Sequence, residues 1–142
     1  MAVFHANEFL TNLPDGLKDK TVHIFALTEE GPSDLSIVVT RDAKKGSEDL
    51  ESYVERQLNA LAPRLPAFRL LKKDKTTVDK QPAITFDTTW QTADGKMFQR
   101  QITLHTAKNV LIIAGTCRGD HFKSKWESMF NEFLAGFHLR QS

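Results

Sequence analysis

The side chains best able to ligate a metal or move a proton are dispersed along this chain. Its five histidines, His5, His23, His105, His121 and His138, fall in no His-Glu-x-x-His or Cys-x-x-Cys spacing, so zinc has no ready ligand set. Neither a glycine-rich phosphate loop nor a Gly-x-Ser-x-Gly elbow occurs. Carboxylates such as Glu8 and Asp87 lie so far apart in sequence that spacing alone cannot pair them as general acid and base. Cys117 is the single cysteine and sits in an apolar run, where it reads as a small buried hydrophobe; a lone reduced thiol fits a cytoplasmic location. No catalytic residue, metal or cofactor is assigned, and the expectation is a binding protein and not an enzyme.

Two amides are the polar groups that ask for an explanation. Gln57 lies seven residues after Leu50 and four before Leu61, close to the apolar stripe of a helical pattern. Gln101 sits within Gln99-Arg100-Gln101-Ile102, on the side of Gln99 and Thr103 and opposite Phe98, Ile102 and Leu104 if the segment is a strand. A polar amide beside an apolar stripe wants a hydrogen-bond partner; an ordinary surface position remains an alternative for each.

The elements that must position these residues can be read from periodicity. Residues 2–5 and 8–13 predict short strands ending at the turn Pro14-Asp15-Gly16. Residues 21–27 and 35–41 are β-branched and aromatic runs that predict a hairpin around Glu29-Glu30-Gly31-Pro32-Ser33-Asp34. Ser47 is a suitable N-cap, followed by Glu48 and Asp49 where the helix dipole favours negative charge. Leu50, Tyr53, Val54, Leu58, Leu61 and Leu65 then repeat at helical spacing until Pro66. Residues 68–72 and 75–78 predict two short strands, residues 82–91 and 96–106 a hairpin about Thr92-Ala93-Asp94-Gly95, and residues 110–117 a buried strand. Trp126, Met129, Phe130, Phe133, Leu134 and Phe137 form the stripe of a second helix, with Gly136 near its end.

Many strands and two amphipathic helices predict an α+β fold with an antiparallel sheet and the helices packed on it, covering about one face. The first hairpin is apolar on both sides: Ile37, Val38 and Val39 are consecutive, and Val22, Ile24 and Ala26 alternate with His23, Phe25 and Leu27. Such a hairpin is expected to meet a partner chain or a client, the alternative being a sheet sandwiched within its own monomer.

Composition sets outer limits. With 142 residues, 40% hydrophobic and 26% charged, the chain reads as one globular domain spanning 1–142, large enough for a core without disulfides. Nineteen basic against eighteen acidic residues leave a net charge of +1 with no long block of one sign, which argues against nucleic acid as a partner. The cluster Lys72-Lys73-Asp74-Lys75 reads as a solvated turn. The first residues carry no basic start or apolar stretch of signal-peptide length, and no uncharged run approaches the ~20 residues of a membrane span, so a soluble protein without membrane insertion is expected.

An ordered set of motifs resembles the Eag-type chaperones of type VI secretion. It runs from Leu13-Pro14-Asp15 through Val22-His23-Ile24-Phe25, Gly31-Pro32, Arg41-Asp42-Ala43 and Tyr53-Val54-Glu55-Arg56-Gln57-Leu58, then Leu65-Pro66-Ala67-Phe68, Trp90-Gln91 and Arg100-Gln101. The resemblance implies a homodimeric cradle with a fold related to PsbP and the Mog1 regulators. It also implies a client, a toxic effector whose N-terminal transmembrane helices are shielded before loading onto the secretion spike. By the same resemblance the groove residues are Val22, Ile24, Val38 and Leu65, with Gln57 and Gln101 hydrogen-bonding the client; Val38 and Val39 can exchange roles, depending on the hairpin loop. The competing reading is a regulatory or scaffold module of the same fold without a membrane-protein client, since fold alone does not set function.

Overall fold

The computed structural model describes residues 2–28, 33–119 and 121–140. Strands β1 (Ala2–His5) and β2 (Leu10–Leu13) form a separate two-stranded antiparallel ribbon. Glu8 belongs to the connection and not to β2, because the Ala6 N–H donates to the Phe9 carbonyl at 2.8 Å and closes the turn there. The Pro14 turn forms as expected, with the Leu17 N–H donating to the Pro14 carbonyl at 3.1 Å and Gly16 at φ +97°.

The remaining strands are β3 (His23–Ala26), β4 (Leu35–Ala43), β5 (Arg69–Val78), β6 (Gln81–Thr92), β7 (Gly95–His105) and β8 (Asn109–Arg118). They make one sheet of six strands in the order β3-β4-β8-β7-β6-β5, each neighbouring pair antiparallel. The first hairpin, β3 with β4, is present; its expected turn residues 29–32 lie outside the described residues. Gly95, at φ +125°, and the Thr92 hydroxyl donating to the Gly95 carbonyl at 2.8 Å close the β6–β7 hairpin.

Helices α1 (Leu50–Leu61) and α2 (Glu127–Ala135) lie on opposite faces of this sheet, not together on one. Successive side chains of a strand point to opposite faces, so each face gathers every second residue. On the α2 side Leu35, Ile37, Val39, Phe98, Ile102, Leu104, Ile113 and Cys117 pack with Phe122 and Phe130. On the α1 side Ile84, Phe86 and Val110 pack with Tyr53, Val54 and Leu58. In the run Ile37-Val38-Val39 of β4, Ile37 and Val39 face α2, while Val38 points to the α1 side and is only half-buried. The Cys117 thiol is raised to about 11 by burial in this core.

Three local expectations are corrected. The N-cap of α1 is Asp49, not Ser47: its carboxylate accepts from the Ser52 N–H at 2.7 Å. The helix ends at Leu61, before Leu65 and Pro66, because Pro63 has no N–H to donate the next helical hydrogen bond; Ala62, still helical in its dihedrals, is the C-cap. The two short strands expected at 68–72 and 75–78 are one continuous β5, with the Lys72-Lys73-Asp74-Lys75 cluster inside it and a bulge between Leu70 and Lys72.

Both helices are pinned by polar contacts. The Tyr53 hydroxyl donates to Asp42 at 2.8 Å, and burial followed by this contact pushes the phenol well above its ordinary range. Arg100 on β7 grips both oxygens of Asp87 at 2.8 and 2.9 Å and reaches Glu127, in the first turn of α2, at 2.7 Å. Its guanidinium lies 4.9 Å over the Phe122 ring, and the Asp87 contact foremost holds it protonated. Gly115 lets α2 approach: a Cβ there would sit 2.7 Å from Phe130 ring carbons. A π-helical turn, Phe122–Trp126, leads into α2.

Candidate functional site

The register places Ile24, Val38, Ala114, Gln101 and Phe86 side by side in one transverse row across five strands. All five project to the α1 side, since Phe86 packs there and cross-strand partners share a face. Burial falls away steadily along the row. Phe86 is closed under α1, Ala114 and Gln101 are buried, Val38 is half-buried, and Ile24 is 68% exposed. Helix α1 covers the β6 end and leaves the β3 end bare, so the row is the floor of a trough with one open end.

Gln101 is 8% exposed, yet among the described residues its amide has no hydrogen-bond partner. Gln57, half-buried on α1 between the inward-facing Val54 and Leu58, likewise has none. Among the described residues the wholly buried side-chain atoms without a partner are the hydroxyls of Thr85 and Thr103, so the two amides keep some access to solvent and can reach a group brought to this face. The neighbouring row is polar by contrast: Ala26, Ser36, Thr116, Gln99 and Thr88 lie side by side, with Gln99 donating to the Thr116 hydroxyl at 3.0 Å.

Of the six residues singled out from the sequence, the structure brings Ile24, Val38 and Gln101 into one row and sets Gln57 on the helix above the same face. Val39 is 8% exposed and points to the α2 side, so Val38 is the residue of this pair that shares a face with Ile24. Val22 lies just ahead of β3, 49% exposed. Leu65 is not on the helix at all: it stands in the turn after α1, half-buried, its N–H donating to the Leu61 carbonyl at 3.2 Å. Ala114 and Phe86 were not anticipated, because what puts them in the row is pairing between strands distant in sequence, which leaves no local mark. Among the described residues no three His, Cys, Asp or Glu side chains gather as a metal site, and no helix is long and apolar enough to cross a membrane.

A helix on each face of an antiparallel sheet, in this strand order, is an architecture shared with known structures. Cyanobacterial PsbP from Synechocystis matches at TM-score 0.58 and 12% identity, covering 98% of this chain and 92% of its own. The Ran-binding protein Mog1p of Saccharomyces cerevisiae matches at TM-score 0.52 and 13% identity, covering 89% and 73%. These likenesses establish a PsbP/Mog1-like fold and nothing more. A crystal structure of a Pseudomonas aeruginosa protein of unknown function, PA94, is much nearer: TM-score 0.84 and 26% identity over 100% of this chain and 99% of that one.

Sequence narrows the class to a family. Residues 10–132 match the DcrB family model, and the chain is 31% identical over 113 residues to Effector EagT6 of Pseudomonas aeruginosa PAO1, covering 79% of this chain and 78% of that protein. The chain therefore belongs to the DcrB family, and the match to EagT6 bears out its resemblance to the Eag-type chaperones.

Proposed function

We propose that this protein is a cytoplasmic chaperone of a type VI secretion effector and not an enzyme. It acts as one domain spanning 1–142, pairs as a homodimer, and shelters the client's N-terminal transmembrane helices along the trough on the α1 side. It then hands the client to the secretion spike. The observation that carries this reading is the amide of Gln101, without a partner among the described residues, in an otherwise apolar row that opens at Ile24. The similarity to EagT6 supports the link to a secreted effector.

The physics suits such a client. A transmembrane helix in water exposes apolar surface, and covering roughly 600 Å² of it contributes on the order of 15 kcal/mol before ordering costs. Ile24, Val38 and Val22 supply apolar contact at the open end, and Leu65 flanks the exit of α1. Apolar contact has no direction; Gln57 and Gln101 supply it. Their amides meet carbonyls or small polar side chains on the packed face of a transmembrane helix, where close approach exposes the backbone.

The test is a pull-down from the native cytosol with protein identification by mass spectrometry, comparing the natural chain with the Gln57→Ala, Gln101→Ala double variant. The expected result is one large partner with N-terminal transmembrane segments, bound about 5- to 150-fold more weakly by the double variant, as loss of ~1 to 3 kcal/mol implies. Recovery of soluble partners alone, equally with both forms, overturns the reading.

A further inference from the structure

We propose that the β5 edge of the sheet docks an extended acidic segment of a partner protein, taken up as an added strand. This surface is separate from the trough, at the opposite end of the sheet from β3. Among the described residues β5 pairs with β6 alone, so along its outer side a row of backbone N–H and C=O groups faces outward. It is ten residues long, against four for the other edge strand, and among these ten only Lys73 and Val78 are not exposed.

Two features give this edge a preference. Leu70 and Leu71, beside the bulge, are 46% and 53% exposed. Arg69, Lys72, Lys73 and Lys75 stand against Asp74 alone, four cations and one anion. Lys72 is 3.4 Å from Asp74 and Lys73 pairs with Glu55, while Arg69 and Lys75 have no described carboxylate partner. Lysines on an edge deter pairing with a second copy, because antiparallel pairing of two such edges sets like charges opposite one another. The same lysines favour a strand bearing carboxylates. Backbone pairing supplies affinity in strand addition, and alternate side chains supply choice: carboxylates on the α1 face for Lys73 and Lys75, beside the exposed Leu70, while Arg69 and Lys72 on the other face add attraction for an acidic strand.

The test is amide hydrogen exchange of the full chain, followed by NMR, with a strand-length peptide alternating Glu with Val. Controls carry Lys in place of Glu, or N-methylated backbone. The expected result is exchange slowed about tenfold or more at outward-facing β5 amides by the acidic peptide alone, weakened at higher salt and abolished by Lys72→Glu with Lys75→Glu. Both lysines are exposed, so the double variant keeps the fold, which unchanged protection in β7 and β8 verifies. Unslowed β5 amides, or equal slowing by the Lys peptide, overturn the proposal. So does protection that appears with rising protein concentration and no peptide, which would assign the edge to a second copy.

Discussion

The two faces of the central sheet are built from the same strands and end up in opposite conditions. On the α2 side the buried core reaches β4, and beyond it Phe25 on β3, though half-exposed, still places its ring 5.4 Å from Phe133. A cleft of about 310 Å³ lined by Phe25, Leu35, Ile37, Met129 and Phe133 marks the margin of that contact. On the α1 side the helix packs on β6, β7 and the start of β8 and reaches one end of β4 through Tyr53 and Asp42, and Ile24 is left 68% exposed. The difference is one of helix placement and not of strand composition. Gly115 admits α2 to the middle of its face, whereas Pro63 and the tether of Tyr53 to Asp42 confine α1 to one part of the other. An apolar surface is thus kept open beside a well-packed core without weakening it.

This contrast can be broken from the closed side first. Phe130→Ala removes a fully buried ring from the α2 core and is expected to cost ~3 to 5 kcal/mol in chemical denaturation. Gly115→Ala puts a methyl into the Phe130 ring and is expected to cost about 1 to 3 kcal/mol by the same measurement, partly relieved when combined with Phe130→Leu. The open side should respond in another way. Ile24→Asp is expected to change stability by no more than about 0.5 kcal/mol while abolishing client co-purification. A loss of stability like that of Phe130→Ala would mean the α1 face is closed in solution.

The smallest effect sharpens the entry to β3. Asp19 is lowered from 3.8 to about 2, first by the Thr21 hydroxyl and then by Arg41, whose guanidinium lies 2.5 Å from it. The folded value lies below the unfolded one, so the unfolded chain binds the extra proton. The tether's contribution is complete above pH 3.8 and fades as pH falls through about 2. Asp19→Asn should flatten that part of an acid-unfolding curve and leave neutral stability slightly reduced.

What the sequence made legible was local. The β6–β7 hairpin follows from Thr92-Ala93-Asp94-Gly95, where glycine takes up the positive φ just after the two-residue tip, and the α2 stripe follows from 3.6-residue spacing. The unity of β5 was hidden, since lysines and an aspartate in a strand look like a turn until an edge position explains them. The helical spacing of Leu65 with Leu61 and Leu58 outran the helix itself, because Pro63 ends α1 first. The row was half legible: Ile24, Val38 and the amides stand out by type, and the motif resemblance singles them out. Their alignment with Ala114 and Phe86 depends on register between distant strands, and a slip of one residue would have put Val39 in place of Val38.

The π-helical turn ahead of α2 gives the molecule an asymmetric tolerance to changes of length. It holds one more residue per hydrogen-bonded loop than an α-turn, and each residue rotates a helix by about 100°. Deleting a single residue within Phe122–Trp126 would regularise the helix while swinging Phe130 away from Gly115 and Glu127 away from Arg100. One added or lost residue at the exposed Ala93-Asp94 tip disturbs only the hairpin end. Divergent relatives should therefore vary freely in length at that tip and hold the spacing between β8 and α2 constant.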